Sequence, residues 1–306
     1  MNVVNQHIDK NFSLYNGDSA EIMKGLPDNS VHYEIYSPPF ASLYTYSNSE
    51  RDLGNCRNYD EFFAHFEFIA KELHRILKPG RLMSVHCMDM PIMKGKEGYI
   101  GISDFPGDLI RLFEKIGFIY HSRVVIWKDP LIEATRTKSI GLLHKSVVKD
   151  SAICRQGLPD YVITMRKDGD NAEPIAHPEG FKEFIGDGNI EEKGETYSHH
   201  VWRRYASPVW MDINQTYTLN KSSAREEKDE KHICPLQLDV ISRCIELWSN
   251  PNDIVFTPFL GIGSEIYQAL IMRRRGIGIE LKPSYYEQAV KNCKDIANNV
   301  MLRTAV

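Results

Sequence analysis

The C-terminal stretch constrains the fold of this chain most tightly. Ile254-Val255-Phe256 is a short apolar strand entered from the turn Asn250-Pro251-Asn252-Asp253, and Thr257–Ser264 (TPFLGIGS) is a turn carrying two glycines. Glu265–Arg275 reads as a helix, Gly276–Glu280 (GIGIE) as a second strand, and Pro283–Asn298 as a terminal helix with proline in its first position. A further helix, Cys234–Ser249, leads into the unit. Strand, helix, strand at these short spacings demands parallel strands joined by crossover helices, so both faces of the sheet are covered.

The first third has the same rhythm. Phe12–Asn16 and Val31–Tyr36 read as strands, with a helical turn or two over Ser19–Leu26 and a turn at Pro27-Asp28-Asn29 between them. Tyr59–Leu77 places Phe62, Phe66, Ile69, Leu73 and Ile76 at helical spacing and is stopped by Lys78-Pro79-Gly80. Arg81–His86, Phe118–Trp127 and Tyr161–Arg166 read as strands, and Phe105–Gly117 as a helix. The class is therefore α/β with a mostly parallel sheet.

Composition narrows the function classes. The 306 residues carry 37 Lys and Arg against 41 Asp and Glu, a net charge of −4, which argues against nonspecific coating of nucleic acid but allows a local basic face. Residues 121–166 hold eight basic against four acidic residues, whereas 168–195 hold two against nine, with five glycines and two prolines. The acidic stretch reads as a long loop or insertion. The six cysteines are scattered without a CxxC pair, which suits free thiols in a reducing cytoplasm and no metal site. No apolar run approaches the ~18 residues of a membrane span, and the N-terminus lacks a secretory pattern, so no membrane association is expected.

Two motifs carry chemistry. Gly261 and Gly263 let the backbone approach a ligand, and Glu280 ends the next strand, where a carboxylate can accept hydrogen bonds from ribose hydroxyls. A dinucleotide site would want glycine or alanine three residues after Gly263. Ile266 stands there, which suits a nucleoside-type ligand without a pyrophosphate. The second motif is Ser37-Pro38-Pro39-Phe40, directly after the strand VHYEIY. Two prolines impose an extended, rigid exit from the sheet. There the Ser37 hydroxyl and the Pro38 carbonyl can accept hydrogen bonds from a planar amino group while Phe40 stacks on its ring; a simple Pro-Pro stop with a buried Phe is the plainer alternative.

Together these elements resemble the S-adenosylmethionine-dependent DNA amino-methyltransferases, which methylate N6 of adenine or N4 of cytosine. Ser37-Pro38-Pro39-Phe40 matches their (D/N/S)-P-P-(Y/F/W) catalytic signature, and Thr257-Pro258-Phe259-Leu260-Gly261-Ile262-Gly263-Ser264 resembles their D-P-F-x-G-x-G-(T/S) cofactor signature. Glu280 matches the ribose-binding acid, and Asp18 the family's G-D element beside the adenine of the cofactor. His232-Ile233-Cys234-Pro235-Leu236-Gln237 resembles the H-P-x-Q-K-P element, so Pro235 and Gln237 would line the methionine end. Catalytic motif first and cofactor motif last is the circularly permuted order of the β group.

The resemblance implies a Rossmann-like methyltransferase sheet with helices on both faces and an inserted target-recognition region. It divides the chain into 1–167 (catalytic half), 168–231 (insertion) and 232–306 (cofactor half of the same domain). It implies S-adenosylmethionine as cofactor, double-stranded DNA as partner, base flipping, site-specific DNA methylation of the restriction-modification kind, and a possible homodimer. Two departures stand out. Thr257 replaces the usual Asp, and Ser37 points toward cytosine while the frequency of adenine enzymes points back, leaving adenine N6 the nominal target and cytosine N4 nearly level. The basic region around Arg136, Lys138 and Lys145, and Tyr197–Trp210 with His199, Arg203 and Arg204 among aromatics, are the candidate DNA faces. For the latter, a packed hairpin or helix with core aromatics is the alternative.

Overall fold

A computed structural model describes residues 3–39, 52–56, 58–92, 95, 98–137, 144–152, 154–181, 195–220 and 235–304. Its centre is a nine-stranded sheet in the order β1-β2-β11-β10-β3-β4-β8-β7-β9. The strands are β1 (Asn5–Ile8), β2 (Phe12–Asn16), β3 (Val31–Tyr36), β4 (Leu77–Met88), β7 (Phe118–Ile126), β8 (Asp160–Lys167), β9 (Val209–Trp210), β10 (Ile254–Thr257) and β11 (Arg275–Glu280). β5 (Met90–Ile92) and β6 (Gly101–Ser103) form a separate hairpin. Strands β2, β11, β10, β3 and β4 are mutually parallel, as expected, and β8 runs against both β4 and β7.

The helices are α1 (Ser19–Met23), α2 (Tyr59–Ile76), α3 (Phe105–Ile116), α4 (Pro130–Thr137), α5 (His144–Val147), α6 (Glu195–Tyr205), α7 (Leu238–Trp248), α8 (Ser264–Ile271) and α9 (Pro283–Thr304). Local chemistry sets their ends. Asp18, Asn58 and Asp104 each accept a backbone N–H in the first turn of α1, α2 and α3, and Gly117 closes α3 with φ of 118°. None of the described helices is long and apolar enough to cross a membrane.

Two layers of core sandwich the sheet. Ile22, Phe62, Phe66, Leu73, Phe105 and Phe113 pack on one face with Tyr36, Met83 and Val85. Val240, Ile241 and Ile245 pack on the other with Tyr33, Ile35 and Val255, and α8 and α9 cover the β2 end through Ile266, Leu270 and Ala289. All six residues of β3 are therefore buried, His32 and Glu34 included.

Three elements differ from the sequence reading. Lys78-Pro79-Gly80 does not separate helix from strand. Leu77 already pairs with Val31, and the extra residues are absorbed in a bulge with Gly80 at φ of 71°. Helix α7 begins at Leu238 rather than Cys234, because Pro235–Gln237 is extended and Leu238 N–H donates to the Tyr217 carbonyl. Helix α8 stops at Ile271, where Arg273 takes a φ of 62° and Arg274 N–H returns to the Ala269 carbonyl.

The described part of the expected insertion is built into this frame. β9 extends the sheet beside β7, and Trp210 and Ile213 are core residues. The Arg243 guanidinium of α7 lies 4.9 Å from the Tyr205 ring and 4.8 Å from the Trp210 ring, and forks onto Asp212 at 3.0 and 2.9 Å. At the amino end of the sheet, Lys78 bridges His32 and Glu173, while Arg81 pairs with Asp253 and donates to the carbonyls of His32 and Glu173. This ties the start of the acidic segment beneath the strands.

Glu34 is the anomaly of the core. Neither carboxylate oxygen has a hydrogen-bond partner among the described residues, and burial pushes its carboxyl well above the ordinary range. A raised folded-state value means the penalty is absent below the unfolded value of about 4.3 and grows as pH rises above it. Glu34→Met should therefore stabilise the chain at pH 8 by about 1–3 kcal/mol in urea unfolding, with a smaller gain at pH 5. An unchanged or lower midpoint at pH 8 would reveal a buried partner for the carboxylate.

Candidate active site

The parallel strands all point their carboxyl ends at one edge of the sheet, the edge where open α/β sheets bind ligands. Pairing of Val255 with Tyr33 makes β10 and β3 neighbours, so the glycine turn and Ser37-Pro38-Pro39 emerge side by side. Glu280 pairs with Asn16 across β11 and β2, which brings Gly17 and Asp18 to the same edge. The two motifs recognised in the sequence thus converge.

On the glycine side, Gly261 adopts a φ of 53° and Gly263 one of 94°, both in the left-handed region that favours glycine. A Cβ on Gly261 would meet nothing within 4 Å, so the loop faces open space there, whereas one on Gly263 would lie 3.2 Å from Ala289 Cβ. Glu280 receives the Gly261 N–H at 2.8 Å on Oε2 and the Lys282 N–H at 2.9 Å on Oε1. Burial outweighs these bonds and holds its carboxyl up at about 7. Asn16 donates to the carbonyls of Glu280 and Leu281, and Gly17 N–H to that of Glu280.

Ile266, at the position where a dinucleotide site wants a small residue, is accommodated from the opposite side. Gly276 on β11 leaves the room, since a Cβ there would come within 2.4 Å of Ile266 Cγ2, and Gly278 does the same for Leu260. The close approach of helix to strand is thus achieved with the glycine on the strand.

Thr257 is fully buried, and its hydroxyl finds no partner among the described residues; the buried Gln237 side-chain oxygen is likewise unpartnered. Pro258 accepts the Ser19 hydroxyl at 2.5 Å, and the Phe259 ring stands edge-on to Tyr36 at 5.7 Å. Ser264 starts α8, and Pro235 lies in the extended segment before α7. Asp18 caps α1 by accepting the Glu21 N–H at 3.0 Å.

On the catalytic side, the half-buried Ser37 hydroxyl is 3.2 Å from the His86 carbonyl and 3.3 Å from His86 Nδ1. His86 Nε2 lies 3.0 Å from Asp160 Oδ2, which also pairs with Lys128. Of the remaining sequence candidates, Phe40 and Lys138 lie outside the described residues, as do the side chains of Arg136 and Lys145. His199 and Arg203 are exposed on α6, flanking the exposed Trp202, so the aromatic-basic stretch is a helix with one solvent-facing side. Arg204 turns the other way and pairs with Asp212 at 3.3 Å, a structural role in place of a free basic face.

Ser19, His86, Asp160 and Lys128 were not singled out by motif. Each is an isolated polar residue in the sequence; the cross-strand register brings His86, Asp160 and Lys128 together, and Ser19 meets the Pro258 carbonyl separately.

Residues 31–291 match the family described as DNA methylase. Among curated proteins, the chain is 25% identical over 287 residues to the Type II methyltransferase M.BglII of Bacillus subtilis, covering 93% of this chain and 68% of that protein. Two solved structures share the fold. One is a DNA modification methylase from Thermus thermophilus complexed with S-adenosyl-L-methionine, with a TM-score of 0.65, 20% identity and 93% of each chain covered. The other is the PvuII DNA methyltransferase (cytosine-N4-specific), with a TM-score of 0.57, 19% identity, and 98% of this chain and 96% of that one covered.

The glycine placement makes a direct prediction. Gly276→Ala should destabilise the chain by about 1–3 kcal/mol through overpacking against Ile266; Ile266→Ala alone should cost about 2–5 kcal/mol as a core truncation, and the double variant should lose less than the sum of the two. Losses that simply add in the double variant, measured by thermal unfolding, would mean that the two side chains do not meet.

Proposed function

The chain belongs to the DNA methylase family, and from that premise we propose that it moves the methyl group of S-adenosylmethionine onto an exocyclic amino group of a base in double-stranded DNA, N6 of adenine or N4 of cytosine. The observation that carries this reading is the side-by-side emergence of Ser37-Pro38-Pro39 and the Gly261–Gly263 turn from the paired strands β3 and β10. As in Type II methyltransferases such as M.BglII, the methylation would be site-specific modification.

The residues present fit the cofactor. Gly261 faces open space in a conformation that leaves the backbone accessible, Glu280 keeps lone pairs for ribose hydroxyls, and the unpartnered oxygens of Thr257 and Gln237 suit the polar methionine end. Pro235, Pro258, Phe259, Gly263 and Ser264 complete the wall, with Asp18 beside the adenine. Thr257 offers a neutral oxygen where relatives of this pattern place a carboxylate, so the ammonium of the methionine end keeps a hydrogen-bond acceptor without a counter-charge. When bound, S-adenosylmethionine supplies an electrophilic methyl group.

The chain's own residues supply orientation. A base stacked in a duplex cannot reach this edge, so it must be flipped out at a cost of a few kcal/mol. Phe40 would return part of that by stacking, about 1–3 kcal/mol. The Ser37 oxygen and the Pro38 carbonyl accept from the amino N–H groups. Those bonds favour a pyramidal nitrogen whose lone pair points toward the donor, and alignment does the rest. The exposed face of α6 with His199, Trp202 and Arg203 is the proposed DNA contact, Arg136, Lys138 and Lys145 a second basic stretch, and 168–231 the target-recognition segment between the two halves of the domain.

Nucleoside mass spectrometry of unmethylated DNA incubated with the protein and S-adenosylmethionine should show N6-methyladenine or N4-methylcytosine. Neither product, with cofactor binding intact, would sink the reading and leave a DNA-binding module. Cofactor affinity should follow the Glu280 carboxyl. Ribose hydroxyls favour the ionised form, so affinity falls as pH drops through about 7 and the dependence disappears in Glu280→Gln; titration calorimetry at pH 6 and pH 8 checks this. Arg203→Ala should weaken DNA binding and lower the salt slope by about one phosphate contact. A slope equal to that of the wild type would remove Arg203 from the DNA face.

A further inference from the structure

Four neighbouring strands each deliver one polar group to the carboxyl edge of the sheet: Ser37 after β3, His86 on β4, Asp160 opening β8 and Lys128 just past β7. Ser37 Oγ is 3.3 Å from His86 Nδ1, His86 Nε2 is 3.0 Å from Asp160 Oδ2, and Lys128 pairs with the same carboxylate oxygen. Asp160 is 1% exposed and His86 8%. From this alignment we infer that His86 is a positioning residue that acts through Ser37, directing the serine hydroxyl and receiving, by way of it, the proton that the target amino group sheds. The inference rests on the methyl-transfer reading above.

Hydrogen-bond accounting gives the direction. Lys128 keeps Asp160 in its carboxylate form, which can only accept, so the proton between His86 and Asp160 sits on Nε2. Neutral His86 then presents a bare Nδ1. Among the described residues, both groups within hydrogen-bond distance of the Ser37 hydroxyl, this nitrogen and the His86 carbonyl, are acceptors. The hydroxyl hydrogen is therefore drawn inward, and the lone pairs of Ser37 are left facing the amino group. A serine free to rotate would as often offer that group its hydrogen, a donor facing a donor.

The same chain balances the reaction. As the nitrogen lone pair forms the N–C bond, the methyl–sulfur bond breaks with its electron pair on sulfur, and the nitrogen is left with one proton in excess. That proton passes to Ser37 Oγ as the serine proton passes to His86 Nδ1. The imidazolium so formed faces the Asp160 carboxylate and later releases the proton to solvent. Among the described residues, charged groups on the elements packed against this edge have partners of their own. On α7, packed against this face, Asp239 accepts the Asn214 N–H and Arg243 binds Asp212. Asp89 accepts the Tyr161 hydroxyl, and Arg123 lies over the Tyr161 ring.

Two measurements on the full-length chain test this. Nitrogen-15 NMR of the His86 ring at pH 8, without DNA, should show the Nε2–H tautomer, and Asp160→Asn, whose amide can donate to Nε2, should shift the proton to Nδ1. Single-turnover methylation at saturating S-adenosylmethionine and DNA supplies the second readout. His86→Asn keeps an acceptor for Ser37 but cannot take a proton. It should bind S-adenosylmethionine within twofold of the wild type and transfer methyl ~10²-fold or more slowly. An Nδ1–H tautomer in the wild type, or a wild-type rate in His86→Asn, would overturn the inference. A wild type that methylates neither base would instead overturn the reading beneath it. If His86→Asn does not fold, the tautomer of the wild type and of Asp160→Asn still decides.

Discussion

The pairing of β10 with β3 is the constraint on which the rest of the molecule depends. Val255 lies opposite Tyr33 and Phe256 opposite Glu34, and Ile254 N–H donates to His32 Nδ1 across 222 residues of chain. Without this contact the glycine turn and the Ser-Pro-Pro turn belong to separate βα units, each a rigid loop with no counterpart. With it, both loops leave one edge in the same direction, because parallel strands place their carboxyl ends together. The cost is a strand buried on both faces that still carries a histidine and a glutamate. His32 turns Nε2 toward the Glu173 and Asp253 carboxylates, and burial pushes the Glu34 carboxyl well above the ordinary range.

The site is then shaped by what the strands leave out as much as by what they hold. Gly276 and Gly278 carry no side chain so that Ile266 and Leu260 can occupy the space above β11, drawing α8 close and bringing its N-terminal turn over the strand ends. That turn is clamped from the other side, since Glu280 accepts the Gly261 N–H. One carboxylate thus stiffens the glycine loop at the edge where the cofactor is proposed to bind, which links the shape of that loop to the charge beside it.

The segment that carries α6 and β9 is joined to this core, not merely appended to it. Arg243, fully buried on α7, is sandwiched by Tyr205 and Trp210 and forked onto Asp212, with Arg204 on the same carboxylate. A guanidinium is suited to this because it can stack on rings and form paired hydrogen bonds at once. Its effect is to hold α6 in a set orientation relative to the catalytic edge, so that His199 and Arg203 project outward while Val201 and Tyr205 face in.

By itself the sequence determined the class of fold and the backbone character of the two loops. Period-3.6 and short apolar patterns mark α2, α3, β10 and β11 unambiguously, and glycine and proline act through their own backbone chemistry, which needs no neighbour to be read. The bulge at Pro79-Gly80, the short edge strand β9 and the late start of α7 were not legible, because each is set by a partner strand or a distant carbonyl such as that of Tyr217. The tertiary structure alone decided that Ser37 would be backed by His86, Asp160 and Lys128. Each is an ordinary polar residue in sequence, and only the order β3-β4-β8-β7 and its register align them. It likewise separated Arg203 from Arg204. Adjacent residues on a helix point about 100° apart, and what lies in each direction is a property of the packed molecule.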